Sequence, residues 1–111
     1  MPASRNGAPE VGLCSGKDCR RAGGFRTVQR ELQRGCTVLE LPCLDVCEGV
    51  VAVVEPRSSE PQVIERVSGR GLARDLADHV ANGAQLTGRL RKRRVRGAAG
   101  ARARRRITRA L

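Results

Sequence analysis

Aromatic residues are almost missing from this 111-residue chain: Phe25 is the one phenylalanine, and there is no tyrosine or tryptophan. The core must therefore be built from Leu, Val, Ile and Ala, and no aromatic side chains are interleaved to stack nucleic-acid bases. No apolar run is long enough to span a bilayer, so no membrane association is expected. Residues 1–9 are mostly proline, glycine and small or polar residues, a disordered lead-in without the apolar segment of a signal peptide. Five cysteines, an odd number, argue against a disulfide framework, and the expected setting is the reducing cytoplasm. No Ser/His/Asp arrangement, phosphate loop or dinucleotide fingerprint occurs, so the sequence carries no legible catalytic machinery.

Acidic residues are missing from one region. Residues 89–111 hold eleven of the 22 Lys and Arg and not one Asp or Glu, whereas the eleven acids and other eleven bases share residues 1–88. The net charge of +11 belongs entirely to the C-terminal segment, and the rest is neutral. Two arginine-rich runs, 89–96 and 102–106, flank a Gly/Ala spacer. Self-repulsion and few apolar residues predict a disordered basic tail outside the folded domain. Its deletion should then leave the rest of the molecule intact. Phosphate contacts by the tail, and hence nucleic acid as a partner, are open on charge alone but not favoured without stacking residues. Docking on an acidic protein would use the same charge.

Between these termini, residues 10–88 read as one small α/β domain. Val11-Gly12-Leu13 is a short strand that delivers Cys14. From about Arg20 to Arg34, Phe25, Val28 and Leu32 recur at i, i+3 and i+7 on one helix face, and Gly35 supplies the stop. Cys36–Leu41 is a second strand. Val50–Val54, an uninterrupted apolar run, reads as a strand buried on both faces. After a turn with a proline near each end, Gln62–Val67 returns as an antiparallel partner near the sheet edge. Ser68-Gly69-Arg70-Gly71 breaks the chain before a helix bearing Leu72, Leu76 and Val80, which Asn82-Gly83 ends. The order is β-α-β-β-β-α: a small mixed sheet with two helices.

Four of the cysteines form two pairs, Cys14-x4-Cys19 and Cys43-x3-Cys47, each in a short loop after a strand. Two such loops can present four thiolates to one centre, and tetrathiolate sets hold either structural zinc or an iron–sulfur cluster. Spacing leaves that choice open. Lys17 and Arg20 would favour the thiolate form by their charge, with backbone N–H groups around Gly16 and Gly49 as further donors; Asp45 and Glu48 act in the opposite sense or are simply solvated. Cys36, at a strand start, reads as a small buried hydrophobe. His79 reads as a flank residue of the last helix, although a Cys/His ligand set would use it.

The segment Pro42-Cys43-Leu44-Asp45-Val46-Cys47-Glu48-Gly49 with the following Val50–Val54 strand, preceded by Cys14-x4-Cys19, resembles the thioredoxin-like [2Fe-2S] ferredoxins. It is similar also to the related iron–sulfur subunits of bacterial NADH dehydrogenases and hydrogenases. The resemblance covers about residues 10–88 and implies a thioredoxin-like fold with a [2Fe-2S] cluster near the surface, used for single-electron transfer between redox partner proteins. By position, Cys14 and Cys19 would hold one iron and Cys43 and Cys47 the other. It also implies a homodimer. Two departures stand out: Glu48-Gly49-Val50 replaces a frequent Gly-Pro after the second pair, and few residues precede Val11 where the dehydrogenase subunits carry a helical extension. The expectation is a free-standing electron carrier rather than an enzyme. The competing reading is a zinc-stabilised four-cysteine binding module whose basic tail contacts nucleic acid.

Overall fold

Four short apolar segments pair into one mixed sheet in a computed structural model of the chain, which describes residues 9–16, 21, 23–44, 46 and 49–111. The strands are β1 (Glu10–Cys14), β2 (Thr37–Leu41), β3 (Ala52–Val54) and β4 (Gln62–Ile64). Their order in the sheet is β2-β1-β3-β4. β1 and β2 run parallel with Cys14 opposite Leu41, while β3 is antiparallel to both β1 and β4. A parallel pair needs a crossover, and α1 (Phe25–Gln33) provides it. The expected helical stripe forms: Phe25, Val28 and Leu32 are buried. Glu31, next to Leu32, is only 8% exposed and meets Arg70 and Arg74 of the next helix at 3.7 and 3.8 Å.

That helix, α2 (Gly69–Asn82), buries Leu72, Ala73 and Leu76 and ends at Gly83, whose φ of 71° is the left-handed cap a glycine adopts freely. It starts at Gly69, inside the stretch the sequence pattern reads as a break. β4 is correspondingly shorter than the expected Gln62–Val67.

Period-two burial divides the sheet into two faces. Val11, Leu13, Ala52, Val54 and Ile64 join the core formed with α1 and α2. Cys14, Leu41, Val51, Val53 and Val63 join a second core on the other face. The Val50–Val54 run is thus buried on both sides, as its uninterrupted apolar character requires.

The second face needs a cover, and the arginine-rich C-terminus supplies it. Residues 89–111 do not form the expected disordered tail. α3 (Gly88–Arg91) buries Leu90 in the first core. The chain then passes along the outer edge of β4, where Val95 N–H donates to Val63 O (2.8 Å) and Glu65 N–H to Arg93 O (2.9 Å). α4 (Gly97–Ala110) crosses the second face and buries Ala103 and Ile107 completely. The physical reason is spacing: Gly100, Ala103 and Ile107 sit at i, i+3 and i+7, a narrow apolar stripe hidden among arginines whose heads remain in water. The domain therefore continues past residue 88, and the described residues form four helices where the sequence pattern predicts two. No helix among the described residues is long and apolar enough to cross a membrane.

Candidate metal centre

The parallel register of β1 and β2 decides where the cysteines go. Two parallel strands in register end at the same edge of the sheet, so the loops that leave them emerge side by side. β1 ends at Cys14, opposite Leu41, and Cys43 stands two residues beyond Leu41. Backbone and side chain of Ser15 fasten the loops together: its N–H and its hydroxyl both donate to Leu41 O at 2.8 Å. Cys14 N–H donates to Val51 O (3.0 Å), tying the same loop to the run that enters β3.

Cys14 is fully buried and Cys43 is exposed; neither is in a disulfide. As a thiol, Cys14 Sγ lies 3.8 Å from Pro42 O as a weak donor. At Gly16 the first segment lies close against the second. A Cβ there would stand 3.0 Å from Cys43 Cβ and 3.2 Å from its Cα, so only glycine lets the first loop lie against Cys43 without displacing backbone.

The second loop is anchored from below. Leu44 and Val46 are buried in the second core together with Leu41, Ala103 and Ile107. Polar and aliphatic residues alternate in Cys43-Leu44-Asp45-Val46-Cys47, so Leu44 and Val46 fix the loop while Cys43 stays at the surface. Gly49 has a φ of 70°, and a Cβ on it would meet Arg66 Cα at 3.3 Å. A side chain would be strained there. From α4, Arg106 Nη1 donates to Cys43 O at 3.1 Å, which puts a guanidinium on the backbone of the cysteine loop.

Cys19 and Cys47, with Lys17, Arg20, Asp45 and Glu48, lie outside the described residues. Among the described residues no group of three or more metal-ligating side chains assembles. What the fold brings together is one cysteine from each pair, at one end of the sheet, in loops that touch. Two sulfurs on neighbouring segments, one of them at the surface, are soft donors of the kind that thiolate metal sites use. Cys36 stands apart. It is 6% exposed in the first core, and burial pushes its thiol up from the ordinary range, so it remains a neutral packing group. His79 is engaged elsewhere, its Nδ1 2.6 Å from Ala84 O at the end of α2.

Sequence reasoning missed Arg106 and the aliphatic anchors. The signal for the anchors was the alternation in Cys43-Leu44-Asp45-Val46-Cys47; the signal for Arg106 was the Ala103/Ile107 stripe that docks its helix. No family model matches the chain, and no curated protein or solved structure matches it either.

Proposed function

We propose that this chain is a thioredoxin-like [2Fe-2S] ferredoxin, a single-electron carrier whose cluster is held by Cys14, Cys19, Cys43 and Cys47. The observation that carries the reading is the convergence of Cys14 and Cys43, remote in sequence, on adjoining loops at one end of the sheet. The sheet order β2-β1-β3-β4, with a parallel first pair and antiparallel β3, supports the thioredoxin-like assignment. When bound, such a cluster supplies a one-electron couple and needs no substrate pocket.

The chain's own residues have definable tasks in this reading. Leu44 and Val46 fix the second loop, and Gly16 allows the first to close on it. Arg106, held at the Cys43 carbonyl, would bring positive charge to a cluster whose negative charge grows on reduction, and so would favour its reduced form. Exposure of Cys43 leaves a short path to a partner at the surface.

A second reading has its own observation: the arginine-covered α4 borders the same loop. In that reading the thiolates hold structural zinc and the helix contacts nucleic acid. Iron and acid-labile sulfide analysis of protein purified without oxygen separates the two. Equal amounts of iron and sulfide support the ferredoxin. Zinc without sulfide supports the binding module.

A further inference from the structure

The C-terminal helix carries more charge than its packing task requires. Its apolar stripe is Gly100, Ala103 and Ile107. On the side away from that stripe, Arg105, Arg106 and Arg109 follow at i, i+1 and i+4, all on the exposed surface. Like charges at these spacings repel one another, and residues 89–111 contain no acid to relieve them. Such a stripe costs the isolated molecule stability, and an anionic surface laid against it would remove that cost.

The stripe is also placed. Arg106, Arg109 and Ala110 form one wall of an open recess of about 390 Å³, and Pro42 and Cys43 form the other. Two guanidiniums thus converge beside the exposed cysteine. Arg106 is committed to Cys43 O, while Arg109 stands at the rim, where a carboxylate entering the recess would meet it. Guanidinium groups suit carboxylates because both are planar and pair in bidentate fashion.

We propose that the arginine stripe of α4 and the recess beside Cys43 form the docking surface for an acidic redox protein, with Arg105 and Arg109 as its electrostatic anchors. The inference rests on the electron-carrier reading, because that reading makes the ground around Cys43 the place where a partner must come close. An acidic protein is favoured over nucleic acid by continuity of the charge with the exposed cysteine loop. The single aromatic residue, Phe25, is buried in the first core and offers nothing for base stacking.

The test uses the full chain and an acidic flavodoxin as probe, with affinity measured by titration at low and at near-physiological salt. Wild type should bind at low salt and weaken as salt rises. Arg105→Glu/Arg109→Glu should lose about tenfold or more in affinity and most of the salt dependence. The milder Arg105→Gln/Arg109→Gln pair, which keeps good helix formers, should fall between. Arg26→Glu, a charge reversal at an exposed position of α1, should bind like wild type. Equal losses for Arg26→Glu and the α4 variants would overturn the proposal in favour of net charge alone. Tighter binding of a short DNA duplex than of the flavodoxin at the same salt would overturn it in favour of a nucleic-acid interface. Iron and sulfide content, measured on each variant, keeps the two readings apart: intact clusters with no docking would sink this inference only, and absence of clusters from wild type would sink the electron-carrier reading itself.

Discussion

Gly16 shows how much of this site depends on a single missing methyl group. With Cys43 Cβ and Cα 3.0 and 3.2 Å from the place a Cβ would take, Gly16→Ala makes Cys43 give by a few tenths of an ångström. The expected cost is about 1–3 kcal/mol in thermal or denaturant unfolding. Iron content should fall with it; wild-type stability and iron content would refute the close approach. Cys36 provides the contrast. Its thiol is held above the ordinary range by burial, so the folded protein keeps a proton that the unfolded chain gives up in alkaline solution. The stability tied to this thiol is fully present below the ordinary thiol range and is lost as pH rises through and above it. Cys36 should resist alkylation near pH 8 while Cys43 in metal-free protein reacts readily, and peptide mapping after iodoacetamide labelling would show it. Cys36→Ala should leave iron content unchanged. Arg106→Ala removes a charge-assisted bond to the Cys43 carbonyl and should shift the midpoint potential downward, because less positive charge then offsets the reduced centre. An unchanged potential, measured by a redox-poised titration, would show that the guanidinium acts on the loop's position alone.

At the scale of elements, the decisive one is the helix that the sequence hides best. β1, α1, β2, the apolar run into β3, and α2 are all legible because their apolar periodicities are clean, and α2 stops at a glycine, Gly83. The Arg-rich segment was opaque for a physical reason. A helix that covers a flat aliphatic sheet face with Gly100, Ala103 and Ile107 needs only a narrow stripe of small residues, and a composition dominated by arginine masks it. The cover was nevertheless implied, since a strand apolar at every position must be buried on both faces. α1 and α2 occupy only one of those faces. Likewise the two cysteine loops were legible as pairs, but their meeting depends on the parallel register of Cys14 with Leu41, which no local pattern encodes. Truncation after Arg96 therefore exposes Leu41, Leu44, Val46, Val53 and Val63 and should abolish cooperative unfolding or lower the midpoint steeply. Ile107→Ala, a buried aliphatic truncation, should cost about 2–4 kcal/mol and loosen the Cys43 loop. A truncated protein with wild-type thermal stability and iron content would contradict the packed position of α4.

For the whole molecule, a radius of gyration of 12.7 Å lies near the ~13 Å of a folded chain this long, so the basic C-terminus is part of the body. Charge is distributed accordingly: a neutral β/α body carries a cationic helix beside the cysteine loops. The most direct test of the central claim is the visible absorption and EPR spectrum of protein purified without oxygen, read beside metal and sulfide analysis. The expected result is a brown protein with iron and acid-labile sulfide in equal amounts, whose reduced form gives a [2Fe-2S] EPR signal that Cys43→Ser diminishes or alters. A colourless protein that holds zinc and no sulfide would contradict it.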